Sequence, residues 1–529
     1  KIQNRQTGMK KTLIFTIGIL TCLLSATAQK NVDEQIRKLI ISTATINNYY
    51  VDSVDTEKLV EDAIRGMLEK LDPHSQYSTP EQTKRLNEPL QGSFDGIGVQ
   101  FNILDDTLMV IQTITGGPAE KAGVMAGDRI ISVADTAIAG VKMPQEDIMK
   151  RLRGPRGTVA RLGILRDGIE DTLRIDVVRD KIPLNSVDAA IMLTRNTGLI
   201  RFSNFAATTH QEVVEAIRKL KGQGMKNLIL DVTQNGGGFL QAAAEIASEF
   251  LPQGDMIVYT KGRAFKQQEF RSRGGNAFQE GKVIILVDEY SASAAEILAG
   301  AIQDQDRGLV VGRRTFGKGL VQRPVDLPDG SMIRLTISKY YTPSGRCIQK
   351  PYEKGKEKEY RMDVINRFNH GELTNADSIH FPDSLRFQTL REGRTVYGGG
   401  GIMPDYFVPL DTTKNTSLYR QIVAKRILID ANLRYLAKHR NELKEKYPTF
   451  EDFRRKYKVP EEIIENIYTE AKKSLKDKYP KDEEEKTTGL LKHMLRALAA
   501  RDLWDMSEYF AIIYEDDDIV KKAVQLMEE

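Results

Sequence analysis

The stretch KVIILVDEYSASAAEILAGAIQD, residues 282–304, decides the fold class. Its run of aliphatic residues predicts a buried strand, and AAEILAGAIQD predicts a helix that follows after a short loop. The same order occurs upstream, where the strand NLILDVT at 227–233 precedes the helix FLQAAAEIASEFL at 239–251. Strands and helices that alternate from 181 to about 340 predict an α/β core.

The segments outside this core have other patterns. Residues 31–85 show helical spacing of apolar residues, most clearly in LVEDAIRGMLEKL at 59–71. From about residue 92, short alternating strands with glycine turns predict a small β-rich module. Beyond about 410 the chain is predicted to be helical and highly charged, with the run KDEEEK at 481–486 as a solvated linker.

Residues 9–28 have the pattern of a secretory signal peptide: Met-Lys-Lys, an apolar run and an A-x-A site that ends at Ala28. We take Met9 as the start and expect cleavage after Ala28, so the protein is expected to be exported, with the periplasm as the predicted compartment. An uncleaved membrane anchor and a lipoprotein attached through Cys22 are the alternatives. Cleavage would leave Cys347 without a cysteine partner, which excludes an intrachain disulfide.

The composition excludes several classes of protein. A chain of 529 residues, with 40% hydrophobic and 28% charged residues, suits a globular protein of roughly three or four domains. The net charge of +4 is small for this length and gives no support for a nucleic-acid binder. Two cysteines cannot build a Cys-based zinc site, and six scattered histidines do not predict a His-rich site. We therefore expect no metal and no cofactor.

A glycine-rich turn, Asn235 followed by glycines at 236–238, comes after the strand that ends at Asp231. Glycines let the backbone approach a ligand closely and point N–H groups at an anion. A dinucleotide phosphate is excluded, because Gln241 breaks the G-x-G-x-x-G pattern. The oxyanion of an acyl-transfer reaction fits the turn. A plain strand-to-helix turn is the alternative.

Ser293 stands at a predicted helix start, just after a buried strand. With Glu296 it forms the S-x-x-E pattern of a capping box. The same place suits a nucleophile, because neighbouring N–H groups and the helix dipole favour developing negative charge. The pattern alone leaves both interpretations open.

Lys318 lies between two glycines in GRRTFGKG, residues 312–319. A P-loop is excluded, because position 319 is glycine and the continuation predicts a β-hairpin where a P-loop needs a helix. A lysine can replace histidine as the base beside a serine nucleophile. It must then be neutral, and moving its pKa from about 10.4 to about 7 costs roughly 4–5 kcal/mol. Phe316 and Leu320 offer the apolar cover that such a shift needs. A plain surface lysine is the alternative.

These motifs resemble those of the carboxyl-terminal processing (tail-specific) serine peptidases, from about residue 35 to about residue 410. That family has the segments S-A-S-A-x-E-I and T-F-G-K-G at the separation of 25 residues that Ser293 and Lys318 show here. Further matching stretches are LDPHSQY, GIGVQF, GGPAEKAGVMAGDRI, KYYTPSGR and GGIMPD.

The resemblance implies a role for each matching residue. The nucleophile, the base and the side chain that orients the base are, in this order, Ser293, Lys318 and Gln322. The amides of Gly237 and Ala294 would form the oxyanion hole, with Gly236 as a neighbouring candidate. Two positions depart from the family pattern. Thr233 stands where the motif D-L-R-x-N-P-G-G has arginine, and Cys347 stands where serine is common.

By the same resemblance, the β-rich module corresponds to a PDZ domain at roughly 86–180. Its loop Gly96-Ile97-Gly98-Val99 precedes a strand, and the N–H groups of this loop would bind the terminal carboxylate of a peptide. The peptide would then add as a strand to the edge of the module. An ordinary glycine turn is the alternative.

The sequence therefore predicts a multidomain α/β protein, with an α/β Ser-Lys peptidase core, an inserted β-rich PDZ domain, a helical N-terminal segment and a helical C-terminal region. The predicted boundaries are 1–28 for upstream residues and signal peptide, 29–85 for the helical segment, 86–180 for the PDZ domain, 181–410 for the core and 411–529 for the C-terminal region.

The predicted function is an exported serine endopeptidase that cleaves protein substrates near their C-termini. The PDZ domain would bind the substrate tail or gate the site. The predicted partners are the C-terminal tails of proteins or peptides, and further copies of the chain through the C-terminal helices. The alternatives are a noncatalytic PDZ-containing peptide-binding scaffold and a serine hydrolase with a histidine base. The sequence places neither His210 nor His74 next to Ser293.

Overall fold

The computed structural model describes residues 32–275, 277–475 and 482–529. The predicted signal peptide at 9–28 lies outside these residues. The described chain divides into two compact units between Tyr77 and Ser78.

The first unit is helical, as predicted. Its elements are helix α1 (32–49), helix α2 (Thr56–Glu69) and the short strand β1 (Gln76–Ser78) at the boundary. Asp55 begins α2, because its side chain accepts a hydrogen bond from the amide of Lys58. Helix α2 ends before the Asp72-Pro73 pair, which is unsuited to a helix interior.

The second unit begins with α3 (Pro80–Gln91) and continues into the β-rich module. The elements of the module are β2 (Ser93–Gly96), β3 (Val99–Leu104), β4 (Thr107–Thr113), α4 (Pro118–Lys121), β5 (Arg129–Val133), β6 (Thr136–Ala137), α5 (Gln145–Leu152), β7 (Val159–Leu165), β8 (Leu173–Val178) and β9 (Asp180–Pro183). Strands β3, β4, β5, β7 and β8 pair in this order as an antiparallel sheet. Among the described strands, β3 therefore lies at an edge of this sheet. Leu108, Ile130 and Leu162 of the sheet form a core with Ile148 of α5.

A mainly parallel sheet forms the centre of the second unit. Its described strands, in spatial order, are β10 (Val187–Met192), β11 (Thr197–Phe202), β12 (Asn227–Asp231), β15 (Val283–Val287), β16 (Leu309–Gly312) and β21 (Tyr406–Phe407). Strand β10 runs antiparallel to β11, and the other neighbours run parallel. Three helices cover one face: α6 (Thr209–Gly222), α7 (Leu240–Ser248) and α8 (Ala294–Asp304). The predicted α/β alternation is confirmed.

A second sheet contains the hairpin that follows Lys318. Its strands, in spatial order, are β17 (Leu320–Asp326), β18 (Met332–Tyr341), β13 (Met256–Lys261) and β14 (Gln268–Arg271). A strand and not a helix therefore follows the glycine-lysine motif, as predicted when the P-loop was excluded. The remaining elements of this part are α9 (Glu357–Arg361), α10 (Asp363–Asn369), β19 (Arg386–Gln388) and β20 (Thr395–Tyr397).

The C-terminal region is helical, as predicted. Its helices are α11 (Ser417–Ala424), α12 (Ile427–Lys446), α13 (Phe450–Lys456), α14 (Glu461–Leu475), α15 (Glu483–Leu503), α16 (Met506–Ile513) and α17 (Asp518–Glu528). The prediction of a linker at 481–486 is wrong from Glu483 onward, where α15 begins. Its first turn carries three glutamates, which are favourable there because the amino end of a helix dipole is positive. None of the helices in the described ranges combines the length and the hydropathy that a membrane span requires.

The central sheet has a hydrophobic layer on each face. Side chains alternate along a strand, so Ile200 and Leu230 pack with the helices α6–α8, whereas Leu199 and Ile229 belong to the opposite layer. Helix α17 supplies much of that opposite layer. Its residues there are Ile519, Val520, Ala523, Leu526 and Met527. Helix α17 therefore helps to bury one face of the central sheet.

Candidate active site

Three loops that carry predicted site residues meet at one edge of the central sheet. Strands β12, β15 and β16 are parallel neighbours, so their carboxyl ends lie side by side. Strand β12 leads into residues 234–238, which we call the glycine turn. Strand β15 leads to Ser293, and β16 leads to Lys318. Loops at this edge of an open α/β sheet are the usual place for a ligand.

Ser293 lies in a strained turn immediately before α8. Its φ is 57° and its ψ is −113°, a combination that persists in a residue with a Cβ only when the surroundings enforce it. The Ser293 N–H donates to Glu296 Oε2 at 2.9 Å, and the Ser293 carbonyl accepts from Tyr340 Oη at 3.1 Å. These two contacts hold the peptide groups on both sides of the serine side chain.

The carboxylate of Glu296 joins the Ser293 turn to the Lys318 loop. Its Oε2 accepts from the amides of Ser293 and Lys318, each at 2.9 Å. Its Oε1 accepts from the amide of Gly317 at 2.8 Å and from the hydroxyl of Thr315. The amide nitrogens of Ser293 and Lys318 therefore lie within two hydrogen-bond lengths of each other. Glu296 is completely buried, and burial raises the pKa of its carboxyl group.

Lys350 fixes the Lys318 loop from another side. The Lys350 N–H donates to the Gly317 carbonyl at 2.9 Å. The Lys350 ammonium lies 3.8 Å from the centroid of the Phe316 ring and pairs with Asp363 at 2.9 Å. Burial lowers the pKa of Lys350, and Asp363 opposes that shift. The backbone next to Lys318 is therefore constrained, as a catalytic base requires.

Gln322 lies on β17, four residues beyond Lys318, and both side chains are half-buried. The Gln322 Nε2 donates to Thr336 Oγ1 on β18 at 3.3 Å. The structure brings the backbones of Ser293 and Lys318 together. Contacts among the side chains of Ser293, Lys318 and Gln322 stay a prediction.

The glycine turn packs directly against Ser293. A Cβ added to Gly237 would lie 2.7 Å from Ser293 Cβ and 2.9 Å from the nitrogen of Ala294. Asn235 fixes the turn, since its Oδ1 accepts from the Gly237 N–H at 2.9 Å and its Nδ2 donates to the Phe202 carbonyl at 2.8 Å. The Gly237 amide, which was predicted to face an oxyanion, is therefore engaged with Asn235 in this structure.

The amides of Ala294 and Gly238 have no acceptor among the described residues. Ala294 opens α8, where no intrahelical acceptor exists. The Gly237 carbonyl, which belongs to the same peptide group as the Gly238 N–H, accepts from the Phe205 N–H at 3.0 Å. In a trans peptide the C=O and the following N–H point in opposite directions, so the Gly238 N–H points away from Phe205. The sequence does not indicate this donor, because a run of glycines does not reveal the direction of each amide.

We expect Gly237→Ala to lower kcat about 100-fold or more, because the added Cβ would displace either the turn or Ser293. The φ of Gly237, 99°, adds backbone strain for alanine. Gly236→Ala is the matched control, since nothing lies within 4 Å of a Cβ added there. The measurement is the cleavage rate of both variants, with circular dichroism as a check of folding. Equal activity of the two would contradict the close packing of the turn on Ser293.

The loop at 96–99 lies at the start of the edge strand β3, as predicted. The Ile97 carbonyl accepts from the Ala119 N–H at 2.8 Å, and the Gly98 carbonyl accepts from the Ile114 N–H at 3.0 Å. In the part of the chain that the structure describes, nothing accepts a hydrogen bond from the amides of Ile97 and Gly98. Two adjacent amides of this kind, beside an open strand edge, suit the carboxylate of a peptide that adds as a strand.

The structure places His210 and His74 in two separate parts of the chain. His210 Nε2 bonds Glu249 Oε1 at 2.8 Å, which engages the ring with the end of α7. His74 belongs to the first unit. Across 32–275, 277–475 and 482–529, no three His, Cys, Asp or Glu side chains are grouped in a way that could hold a metal ion.

Four ranges, which together make up most of the chain, match known protein families. Residues 196–358 match the family described as Peptidase family S41, and residues 96–177 match the PDZ domain family. Residues 21–82 match the family described as the activating protease CtpB N-terminal domain. Residues 418–505 match a family of unknown function.

The chain matches two curated relatives over most of their length. The carboxy-terminal-processing protease of Bartonella bacilliformis is 35% identical over 356 residues, which cover 64% of this chain and 80% of the relative. The carboxy-terminal processing protease CtpB of Bacillus subtilis is 34% identical over 358 residues, which cover 67% of this chain and 73% of the relative. The solved structure of the photosystem II D1 C-terminal processing protease is 29% identical, covers 60% of this chain and 90% of that chain, and has a TM-score of 0.33.

These matches make the chain a PDZ-containing serine protease with an α/β core. It belongs to peptidase family S41, the carboxy-terminal processing proteases. The family and the protease activity predicted from the sequence are confirmed. The alternative of a noncatalytic scaffold is not supported, since the relatives are proteases.

Proposed function

We propose that the protein is an exported endopeptidase that cleaves protein substrates near their C-termini, with Ser293 and Lys318 as its catalytic pair. The shared acceptor Glu296 Oε2, which holds the amides of both residues, carries this proposal. A buried carboxylate that fixes residues from two different loops suits a site in which their side chains act together.

The reaction uses one proton acceptor throughout. Neutral Lys318 takes the proton of Ser293 Oγ as that oxygen attacks the carbonyl carbon of the scissile peptide bond. Lys318 then gives this proton to the leaving amine, and the bond between carbon and nitrogen breaks. A water molecule then attacks the acyl carbon and loses a proton to Lys318. Lys318 returns this proton to Ser293 Oγ as the bond between the acyl carbon and Oγ breaks, which releases the new C-terminus and restores the free enzyme. Gln322 orients the lysine in this scheme.

The oxyanion of the tetrahedral intermediate needs N–H donors that have no other acceptor. Ala294 meets this condition, and so do Gly236 and Gly238 on the facing glycine turn. We therefore propose the amides of Ala294 and Gly238 as the oxyanion hole, with Gly236 as the neighbouring candidate. Gly237 donates to Asn235 and sets the distance from the turn to Ser293, so its direct contact with the oxyanion stays a prediction.

A cavity near the glycine turn is partly lined by apolar side chains. This cavity of about 290 Å³ lies between the start of α7, just after the glycine turn, and the hairpin that follows Lys318. Its apolar lining consists of Leu240, Phe265, Phe270, Val321 and Ile337. We propose that an apolar residue next to the scissile bond enters this cavity, since burial of apolar surface stabilises the complex.

The substrate tail would be held by the PDZ domain. The amides of Ile97 and Gly98 would bind its terminal carboxylate, and the backbone of the tail would pair with β3. Export to the periplasm rests on the signal pattern at 9–28. Assembly of several copies through the C-terminal helices is a further proposal from the sequence.

The test is cleavage of an unfolded reporter protein with an apolar C-terminal tail. Ser293→Ala is expected to lower the rate by about ten-thousandfold or more. Amidation of the reporter's terminal carboxylate is expected to raise KM, because the loop at 96–99 loses its charged ligand. A folded wild-type protein that leaves both reporters intact would contradict the proposed substrate class. Equal KM for the two reporters would contradict carboxylate binding.

A further inference from the structure

A buried carboxylate at the base of the glycine turn gathers donors from three parts of the chain. Asp231 ends β12 and is 1% exposed. Its Oδ2 accepts from Arg201 at 2.7 Å and from Tyr514 Oη at 2.5 Å. Its Oδ1 accepts from the amide of Thr233 at 2.8 Å and from the Thr233 hydroxyl at 2.7 Å. Asp231 therefore holds the residue that enters the turn.

Arg201 brings a guanidinium to this turn from the neighbouring strand β11. Besides Asp231, it donates to Thr233 Oγ1 at 2.9 Å and to the Thr233 carbonyl at 3.2 Å. Thr233 is the position at which the motif in the sequence has lost its arginine. Burial acts to lower the pKa of Arg201, but the charge and the hydrogen bond of Asp231, together with Tyr514 and Asp188, outweigh this effect, so the pKa is raised. Arg201 therefore stays charged and can bind both Asp231 and Thr233.

Tyr514 comes from the C-terminal helices, 283 residues after Asp231 in the sequence. It follows α16 and lies outside both 196–358 and 418–505, the ranges that match the peptidase family and the family of unknown function. Its ring stacks on Phe510 with centroids 5.7 Å apart, and Phe510 in turn lies 4.6 Å from the guanidinium of Arg201. Burial raises the pKa of Tyr514 well above its ordinary value, so its hydroxyl remains a donor.

The position of Thr233 matters for catalysis because the glycine turn starts at the next residue. The start of the turn is also tied to the loop after β15, where Asp288 Oδ1 accepts from the amide of Gln234 at 3.0 Å. Ser291 Oγ of the same loop donates to the Val232 carbonyl at 2.8 Å. A shift at Thr233 would therefore move the turn relative to Ser293, and misplacement by about 1 Å can cost about 100-fold in rate.

We propose that Arg201 and Tyr514 are positioning residues of the protease, which act through Asp231 to set the glycine turn against Ser293. Helix α16, which carries Phe510 and ends before Tyr514, is thus part of the support of the active site. This inference rests on the proposed function, because it takes Ser293 as the nucleophile and the turn as one wall of the oxyanion hole.

The test compares Tyr514→Phe with Tyr509→Phe in the full chain. Both changes remove one hydroxyl from the same segment, and among the described residues the Tyr509 hydroxyl has no hydrogen-bond partner. Tyr514→Phe is expected to lower kcat about tenfold or more with KM within about twofold of wild type, as expected for loss of an interaction used in the transition state. Tyr509→Phe is expected to leave both constants unchanged. Equal kcat for the two variants would overturn the proposal.

A second readout separates positioning from stability. A fluorophosphonate forms a bond between Ser293 Oγ and phosphorus and expels fluoride, while the hydroxyl proton passes to Lys318 or water. Its labelling rate depends on the nucleophile and the oxyanion hole, and needs no protein substrate. Tyr514→Phe and Arg201→Met are expected to slow labelling, and Arg201→Lys is expected to recover part of the rate. A lowered unfolding temperature with unchanged labelling would assign Arg201 and Tyr514 to stability alone and overturn the proposal.

Labelling also distinguishes failure of the inference from failure of the proposed function. Wild-type protein that is labelled at Ser293 but leaves the reporter uncut would refute the proposed substrate class, and the labelling rates of the variants would still decide the inference. Wild-type protein that is folded but is not labelled at Ser293 would overturn both proposals.

Discussion

Lys318→Met is expected to lower kcat by about ten-thousandfold, the loss typical of removing the base beside a serine nucleophile. Methionine keeps the length and the apolar stem of lysine but cannot accept a proton. Lys318→Arg is the second variant, because it keeps the positive charge while its pKa above about 12 prevents it from acting as a base. Equal inactivity of both variants would show that the loss follows the base and not the charge.

The control for the Lys318 variants is a change in a histidine, the residue type that could act as base in place of lysine. His210→Ala is expected to keep wild-type kcat, since the ring of His210 bonds Glu249. The measurement is kcat of wild type, both Lys318 variants and His210→Ala over a range of pH, with circular dichroism at each end of the range. If a histidine were the base, activity would fall below about pH 6–7. An active Lys318→Met protein would refute the Ser-Lys pair.

Glu296→Gln is expected to lower kcat about 100-fold or more, since it disturbs the acceptor that positions both Ser293 and Lys318. A glutamine side chain keeps the size of glutamate but presents an NH2 group to N–H or O–H donors on one side. Each buried donor left without an acceptor costs about 1–3 kcal/mol of stability, so the unfolding midpoint should fall as well. Glu296→Ala would leave all four donors unpaired and is the less informative change.

Glu215→Gln serves as the control for Glu296. Glu215 is exposed on α6, and its contact is with Gln211, one turn earlier on the same helix. This variant is expected to match wild type in kcat and in the urea midpoint. Glu296→Gln with wild-type kcat and an unchanged midpoint would show that the shared carboxylate has no role in the site.

Local patterns were enough to single out Ser293 and Lys318 as candidates, whereas their roles as nucleophile and base came from the resemblance. Consecutive residues predict the buried strand and the helix start around Ser293. The glycines that flank Lys318 are likewise next to it in the sequence. Both patterns depend on backbone preferences and on burial, which act over a few residues. The same is true of the edge strand β3 and the loop at 96–99.

Contacts between distant segments were not predictable in this way. The S-x-x-E spacing identified the bond between Glu296 and the Ser293 amide, but the donors Thr315, Gly317 and Lys318 belong to another loop. Nothing in the spacing of residues 293–296 specifies that loop. Likewise, the loss of arginine at Thr233 was visible in the sequence, whereas its replacement by Arg201 depends on how two strands align.

The charged C-terminal region shows a similar limit. Its apolar spacing predicted helices correctly, since that spacing is local. The spacing does not state which partner buries the apolar face, and α17 covers the central sheet of the peptidase core. The run at 481–486 was misassigned because its charges were interpreted as solvation, although glutamates also stabilise a helix start.

The packing of α17 makes completion of the peptidase core depend on residues that are synthesised long after Ser293 and Lys318. A chain that has grown to about residue 500 contains Ser293, Lys318 and the glycine turn, but it lacks α17, which supplies much of the hydrophobic layer on one face of the central sheet. Leu199 and Ile229 on that face are covered once α17 has been made. A sheet with exposed aliphatic side chains has an incompletely packed core. We therefore expect a chain that stops near residue 500 to lack a fully packed peptidase core.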